Sequence, residues 1–462
     1  VEERFLKTPS DARDLICVAL AGRAAELQEY GEASSGISSD LAVATNIASQ
    51  LIGQLGNGPG LLSLDAAAIP MAANLVAKVL SDESSRQAAE ALLAEGSERA
   101  ALMTSKYRDA LLRIADAARQ AADGDVVEIE AGDYRQEVAV WNQKRLTIRG
   151  VNGAARLFSD GRVAEGKAIW VLRNGDFDIS NIDFIGATAE DSNGAGIRFE
   201  GGTLHLRGCL FWGNQMGLMT GGEETMRTAT LLVEFSEFGY SRVLGRWGHN
   251  LYVGSVASLT VQFSHLHHAG VGHLIKSRAQ RSAILYNRLT DETGGRASYE
   301  LEFPNGGEAV VVGNLIQQQL GTENGTMVSM GAEGYHWPAN ALYLACNTIV
   351  NDHPHGGAFL VVARGADRVV SANNLLVGLG GYRVDAPMQR WGDVKADWSA
   401  FVRPSRHDYR LRQPDADLAY TLLGDAALLP LLTPRAQYLH PVSSLLLSAP
   451  PRWVGAIQEP AP

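Results

Sequence analysis

The stretch between residues 247 and 302 carries the densest group of side chains that could do acid–base or binding chemistry. From Trp247 onwards it contains His249, Tyr252, His265, His267, His268, His273, Lys276, Arg278, Glu300 and Glu302. An ammonium and a carboxylate held side by side shift each other's pKa, which suits them to proton transfer near neutral pH. Lys276 and Glu302 are 26 residues apart, so a fold that repeats at about this interval would bring them together.

A repeat of this length runs through the chain after residue 123. Its turn positions are separated by 27, 27, 28, 23, 27, 33 and 27 residues, at Ile182, Cys209, Ser236, Ser264, Asn287, Asn314, Asn347 and Asn374. A period in this range indicates a solenoid, and short β-rich segments with asparagine at the turns favour parallel β-coils. Residues one repeat apart would stack at roughly 4.8 Å. We therefore expect Lys276 beside Glu302, and a ladder of turn asparagines, a residue type that tolerates the left-handed conformation.

The residues before position 120 have a helical pattern instead. Apolar residues recur at steps of three and four, at Leu41, Ala44, Ala48, Leu51, Ile52 and Leu55, which predicts an amphipathic helix. The predicted organisation is a helical domain over residues 1–110, a capping helix over 111–122, parallel β-coils over 123–380 and an irregular tail over 381–462 packed on the coils. A cap is expected because the open end of a solenoid leaves strand edges unpaired.

Residues 116–129, followed by Ala131-Gly-Asp-Tyr134, are similar to the usual start of a right-handed parallel β-helix. Residues 112–458 resemble that superfamily, typified by pectate-lyase-like and alginate-lyase-like proteins. The resemblance implies a mainly β fold: a right-handed parallel β-helix solenoid preceded by an α-helical N-terminal domain. It also implies a protein that acts on or binds polysaccharide, in an extracellular or periplasmic location favoured by the fold, although no signal peptide is visible in this chain.

Within that resemblance, His273-Leu-Ile-Lys-Ser277 is similar to a segment of alginate and chondroitin lyases. The lysine of that segment removes the proton α to the uronate carboxylate. Lys276 matches this lysine, whereas Glu302 stands where the family has an assisting arginine. The implied chemistry is that of a lyase or hydrolase of acidic glycans, with Lys276 as base or charge stabiliser and with Glu300 and Glu302 as its acid–base partners.

Residues that could contact a substrate surround this group. They are His249, Tyr252, His273, Arg278, Tyr335 and His336, the last two lying in the longest repeat, where insertions commonly form binding loops. Each has a structural alternative: a ladder ion pair for Lys276, turn capping for the histidines, and packing under a loop for the tyrosine. No metal or other cofactor is predicted, because no carboxylate or cysteine completes a recognised spacing with His265, His267 and His268.

The N-terminal part has a resemblance of its own. Gly22-Arg-Ala-Ala-Glu26 and the segment 36–45 look like the helical part of the peptidase domain of FtsH-type AAA+ zinc metallopeptidases. In that family the aspartate equivalent to Asp40 is the third zinc ligand, and an HExxH helix earlier in the chain supplies the other two. No histidine precedes His205 here. The resemblance therefore predicts a remnant without peptidase activity of its own.

Composition and hydropathy argue against two classes of function. A formal net charge of −11 without clustered Lys and Arg argues against a nucleic-acid partner. No apolar run reaches the roughly 18 residues of a membrane-spanning helix. Three hypotheses stay open from the sequence: a polysaccharide lyase or hydrolase, a non-catalytic glycan-binding or structural β-helix, and a metallopeptidase remnant.

Overall fold

The computed structural model describes residues 8–33, 38–61, 63–64, 74–106, 114–221, 224–241 and 248–458. The chain divides into two compact units, Val1–Leu112 and Arg113–Pro462. The first unit is helical, and the second consists mainly of long sheets of parallel strands. Among the described residues, no helix has the length and apolar character that crossing a bilayer requires.

Four helices form the described part of the first unit: α1 (Pro9–Tyr30), α2 (Ser38–Gly53), α3 (Leu75–Ser81) and α4 (Glu83–Lys106). Helix α1 starts with a capping box, in which the Thr8 hydroxyl accepts from the Asp11 amide and the Asp11 carboxylate accepts from the Thr8 amide. The core of the unit includes Ile16 and Leu20 of α1 and four residues of the predicted stripe, Ala44, Ala48, Leu51 and Ile52. The two ends of that stripe, Leu41 and Leu55, are exposed.

The second unit starts with α5 (Ile114–Gln120), which lies within the predicted capping segment 111–122; residues 111–113 are outside the described residues. Ile114 and Ala118 face the core. The side-chain amide of Gln143 donates to the carbonyls of Ala118 and Ala121, both at 2.9 Å. These bonds satisfy carbonyls at the helix end that have no partner within the helix.

In the described residues, α5 is followed by thirty parallel strands: β1 (Val126–Arg135), β2 (Ala139–Trp141), β3 (Arg145–Phe158), β4 (Ala168–Leu172), β5 (Gly175–Ser180), β6 (Ile182–Ile185), β7 (Ala195–Phe199), β8 (Gly202–Arg207), β9 (Leu210–Trp212), β10 (Met216–Thr220), β11 (Thr230–Glu234), β12 (Glu237–Gly239), β13 (Leu251–Val253), β14 (Ser258–Gln262), β15 (His265–His267), β16 (His273–Ser277), β17 (Arg281–Leu285), β18 (Arg288–Thr290), β19 (Tyr299–Phe303), β20 (Glu308–Val312), β21 (Leu315–Gln318), β22 (Thr326–Met330), β23 (Ala341–Ala345), β24 (Thr348–Asn351), β25 (Ala358–Val362), β26 (Arg368–Ala372), β27 (Leu375–Gly378), β28 (Gly381–Val384), β29 (Met388–Trp391) and β30 (Val394–Ala396).

These strands form a 20-stranded and a 10-stranded sheet, and each strand pairs in parallel with the equivalent strand one repeat away. Ile284 of β17, for example, lies between Val261 of β14 and Val311 of β20. The expectation that residues one repeat apart are neighbours is confirmed by this register. Parallel strands continue to Ala396, beyond residue 380 where the sequence places the start of the tail.

A buried ladder of asparagines runs along the turns, as the repeat predicts. The Asn287 backbone amide donates to Oδ1 of Asn314 at 2.8 Å, and the amide of Asn314 donates to Oδ1 of Asn347 at 2.9 Å. The left-handed residue is, however, the one before each asparagine, for example Tyr286 with φ 54° and Cys346 with φ 52°. Asparagine stands at these positions because its amide satisfies buried backbone groups of the neighbouring repeats.

The tail contains α6 (Leu429–Leu432) and two antiparallel pairs, β31 (Phe401–Arg403) with β32 (Asp408–Leu411) and β33 (Ala436–Leu439) with β34 (Ser443–Leu446). It packs on the outer side of the parallel strands. Phe401, Tyr409 and Tyr438 share an apolar cluster with Val350 and Leu375. The sequence predicts that the tail packs on the coils, and this apolar cluster is where the two are in contact.

Candidate functional site

Part of the predicted site comes together on the outer face of the 10-stranded sheet. Tyr252 of β13, Lys276 of β16 and Glu302 of β19 are consecutive register partners. Nζ of Lys276 lies 3.1 Å from Oε2 of Glu302. The side chains of Lys276 and Glu302 are only 11% and 4% exposed, so water weakens this ion pair little. Trp247, at the start of the predicted group, lies outside the described residues.

A second carboxylate, which the sequence did not suggest, completes the group. Glu333 follows β22 in the longest repeat, and its Oε1 lies 2.9 Å from Nζ of Lys276. Its Oε2 accepts from Nη1 of Arg278 at 2.7 Å. The Arg278 guanidinium and the Lys276 ammonium together lower the pKa of Glu333 to about 2. Arg278 also donates to the Tyr252 hydroxyl at 3.2 Å and to Oδ1 of Asn305.

Two histidines join the buried end of this group. Nδ1 of His273 lies 3.2 Å from the same Oε2 of Glu302 that contacts Lys276. The backbone amide of His273 donates to Nδ1 of His249 at 2.9 Å. Burial, with the nearby charges of His273 and Lys276, holds the pKa of His249 well below its usual range. Burial alone would raise the pKa of Glu302, but the contacts with His273 and Lys276 outweigh it and the pKa is lowered.

Glu300 does not belong to this group of side chains. It stands between Tyr299 and Leu301, which pair with His273 and Ile275, so its neighbour on β16 is Leu274 of the core. Glu300 is fully buried, and neither carboxylate oxygen has a hydrogen-bond partner. Burial, reinforced by Asp291, raises its pKa well above the usual range. The structure therefore does not bring Glu300 and Glu302 together on one face.

Tyr335 and His336, the two predicted contacts in the longest repeat, differ in burial. The Tyr335 ring packs against the backbone at Gly331 and Gly365, and its hydroxyl donates to the Ala363 carbonyl at 2.7 Å. Burial raises the pKa of Tyr335 to about 12. His336 is exposed, and its backbone amide donates to the Asn305 carbonyl at 3.0 Å.

The arrangement around Lys276 is a closed ion-pair network. Lys276 contacts two carboxylates, and Arg278 contacts one carboxylate, one amide oxygen and one phenol. A substrate could reach Nζ of Lys276 only by displacing Glu302 or Glu333. The network therefore fits the ladder alternative better than a free base.

A separate group of ligand-type side chains lies on the 20-stranded sheet. Glu237 of β12 pairs in register with His265 of β15, and the ring nitrogens of His265 and His267 and a Glu237 oxygen lie within 4.8 Å of one another. Sequence reasoning considered the histidines but missed Glu237. The signal was present, because Glu237 precedes His265 by 28 residues, one repeat.

Asp40, the match to the metallopeptidase zinc ligand, lies exposed in the first turn of α2. Its carboxylate faces Gly22 of the Gly-Arg-Ala-Ala-Glu segment in α1, where a Cβ would be 3.6 Å from Oδ2. The two segments that carry the resemblance are therefore neighbours in space. No histidine accompanies them, since residues 1–204 contain none.

Comparison with known proteins bears on the first unit. Residues 1–122 match Peptidase family M41. The chain is 47% identical over 55 residues to ATP-dependent zinc metalloprotease FtsH 2 of Bdellovibrio bacteriovorus, covering 12% of this chain and 9% of that protein. It is 29% identical over 172 residues to ATP-dependent zinc metalloprotease FtsH of Acidothermus cellulolyticus, covering 33% of this chain and 25% of that protein. The chain thus spans a quarter or less of these two relatives.

The N-terminal resemblance to an FtsH-type peptidase domain is supported by these matches. The assignment to carbohydrate-related, pectin-lyase-like proteins with polysaccharide lyase activity is wrong, because the matches point to a zinc metallopeptidase family and none concerns glycans. The error has a physical origin. A repeat period determines how strands stack, but the chemistry of a solenoid depends on the side chains of its outer face.

Proposed function

We propose that this chain is a non-catalytic scaffold, in which an M41-like helical unit without peptidase activity of its own is joined to a right-handed parallel β-helix. One observation carries the proposal. Residues 1–204 contain no histidine, so Asp40 is the one member of the family's zinc set that the helical unit supplies. A catalytic zinc needs three protein ligands, and a single exposed carboxylate does not hold the ion.

The handedness in this proposal has a steric basis. Equivalent strands of neighbouring repeats are parallel partners in the 20-stranded sheet, and the chain between them passes through a strand of the 10-stranded sheet. Every repeat is therefore a crossover between parallel neighbours. Crossovers of this kind are right-handed in about 98% of cases, because the twist of the strands favours that path. Parallel coils with an apolar interior therefore support a right-handed helix.

The absence of catalysis in the second unit is supported by the ion-pair network. Lys276 and Arg278 already contact protein carboxylates, and Glu302 already contacts Lys276 and His273. A substrate would have to displace these partners, which would leave partly buried charges uncompensated. Side chains that contact one another across repeats in this way suit a role in holding the repeats together.

Casein cleavage by the purified 462-residue protein tests the proposal. We expect no cleavage above background with or without added Zn²⁺, and the same result for Asp40→Asn. The variant is the matched control, because it removes the one candidate zinc ligand of the helical unit and keeps the shape of the side chain. Zinc-dependent cleavage by the wild type that disappears in Asp40→Asn would overturn the proposal.

A further inference from the structure

Glu237, His265 and His267 form a compact group on the outer face of strands β12 and β15. Oε1 of Glu237 lies 3.0 Å from Nε2 of His267, and the ring centroids of the two histidines are 4.3 Å apart. Both imidazoles are buried, at 5% and 4% exposure. Two ligand atoms of a tetrahedral zinc site are roughly 3.3 Å apart, given metal–ligand distances of about 2.0–2.1 Å. The spacing of the Glu237 oxygen and the His267 nitrogen is close to that value.

The hydrogen bonds around His267 determine which of its nitrogens carries a proton. Nε2 of His268 lies 3.2 Å from the Thr293 carbonyl, which only accepts, so this nitrogen must donate. Nδ1 of a neutral His268 is then an acceptor, and it lies 2.6 Å from Nδ1 of His267. Nδ1 of His267 must therefore carry the hydrogen, and Nε2 of a neutral His267 presents a lone pair to the Glu237 carboxylate.

A lone pair and a carboxylate oxygen 3.0 Å apart repel each other unless a cation lies between them. That cation is either a proton, which would make His267 an imidazolium, or a metal ion. The metal alternative has a second imidazole ligand at hand, because His265 belongs to the same group. Two imidazoles and one carboxylate are a donor set typical of zinc.

The surroundings hold the ligands in place. Gly239 is the register partner of His267, and a Cβ at Gly239 would lie 2.4 Å from Cε1 of the imidazole, so the ring occupies space that only glycine leaves free. Trp212 and Tyr240 pack edge-on against the same ring, with centroids at 5.7 and 5.5 Å. A preorganised ligand set of this kind loses little conformational entropy on binding.

Two neighbours of His265 connect the group with a nearby cavity. Nε2 of His265 lies 3.4 Å from Oε1 of Glu292, and the His440 ring packs against His265 with a centroid distance of 5.4 Å. Glu292 and His440 also line a cavity of about 540 Å³, together with Arg288 and Tyr438. Three protein ligands would leave the fourth position of a tetrahedral zinc site for water or another molecule.

We propose that Glu237, His265 and His267 bind one divalent transition-metal ion, with Zn²⁺ as the best match to this donor set. Calcium and magnesium fit poorly, because both prefer sites built from oxygen ligands. The proposed ion lies in the second unit and uses none of the M41-like residues. The proposal is therefore independent of the proposed function.

The test is metal binding by the full-length protein after removal of metal with a chelator. Titration with ZnCl₂ followed by calorimetry should give one site per chain, and CoCl₂ should produce the visible absorption of a tetrahedral cobalt site. Glu237→Gln and His267→Gln should weaken zinc binding by about 100-fold or more, since loss of even an outer-sphere contact costs 10–100-fold. Gly239→Ala, which moves the imidazole without removing a ligand, should weaken it as well.

The double variant His353→Gln/His355→Gln is the matched control, because these histidines have the same spacing in sequence as His265 and His267 and their rings are 5.7 Å apart. It should bind zinc like the wild type, as should Asp40→Asn. Circular dichroism of each variant shows whether the fold is retained. The cobalt spectrum of the wild type tests the proposal without depending on the folding of any variant. Absence of stoichiometric zinc binding in the wild type, which the proton alternative predicts, would overturn the proposal. Binding that Asp40→Asn or the His353/His355 double variant abolishes would overturn it too.

Discussion

Lys276 and His273 contact the same oxygen of Glu302, at 3.1 and 3.2 Å. Both side chains belong to β16, and Glu302 is one repeat later on β19. One buried carboxylate thus joins two repeats through two contacts, and its charge depends on those neighbours for compensation.

Lys276→Met should therefore destabilise the fold by about 3 kcal/mol, because breaking a buried ion pair leaves an uncompensated charge. Urea denaturation measures this change. Arg149→Met is the matched control, since Arg149 pairs with Glu128 in the neighbouring sheet with both side chains about half exposed, at 51% and 50%. We expect a much smaller loss there. Equal losses for the two variants would contradict the role assigned to burial.

Glu300→Met should stabilise the protein by about 2 kcal/mol, because Glu300 is a buried carboxyl group without hydrogen-bond partners beside Leu274 of the core. Methionine has a similar length and no desolvation cost. Glu302→Met is the control and should destabilise, since it removes the partner of Lys276 and His273. A loss of stability in Glu300→Met, measured by the same denaturation, would show that the carboxyl has a partner.

The contribution of Asp291 to the stability of the second unit should fall as pH rises from about 4 to 8. Burial raises the pKa of Asp291 to about 8, and Asp291 lies close enough to Glu300 to raise its pKa further. In the unfolded chain an aspartate loses its proton near pH 4. Between these values the folded state holds a proton that the unfolded state has lost, so the stabilisation present below pH 4 disappears as pH approaches 8.

Asp291→Asn removes this contribution. The difference in unfolding free energy between wild type and variant should change by up to about 1.4 kcal/mol per pH unit in this range. Denaturation curves between pH 4.5 and 8 measure it, and the amide can still accept from the Ala297 backbone amide, as the carboxylate does at 2.8 Å. Parallel pH profiles for the two proteins would contradict a raised pKa.

Asn314→Ala should destabilise the fold by about 3 kcal/mol. The Asn314 side chain donates to the Ile284 carbonyl and accepts from the Asn287 backbone amide, both at 2.8 Å and both buried. Its removal leaves buried backbone groups of two repeats without partners, at roughly 1–3 kcal/mol each. Asn142→Ala, at an exposed position, is the control and should change little. Urea denaturation measures both changes in stability. If the two variants lose the same amount, the ladder interpretation is wrong.

Much of the architecture follows from the sequence, because it depends on periodicity. A step near 27 residues predicts that Lys276 meets Glu302 and that Asn287, Asn314 and Asn347 stack, and the structure contains both relationships. The helical pattern before residue 120 is likewise a local property. These features need only strand pairing and burial of apolar side chains.

Only the tertiary structure determines which face of a strand a side chain lies on and which residues the loops contact. Alternation along a straight strand puts Glu300 and Glu302 on one side, yet Leu274 and Ile275 of the neighbouring strand are consecutive residues that are both in the core. Alternation therefore fails at the start of these strands, and Glu300 is buried.

The contacts of two carboxylates were likewise not predictable from the repeat period alone. Glu333 reaches Lys276 from a segment outside the strands, at a sequence distance of 57 residues, and Glu237 meets His267 across a 30-residue separation. The repeat period determines which residues share a row, because backbone hydrogen bonds set the register. Which side chains in a row point toward each other depends on bends, loops and the space that neighbours such as Gly239 leave free, and these exist only in the folded chain.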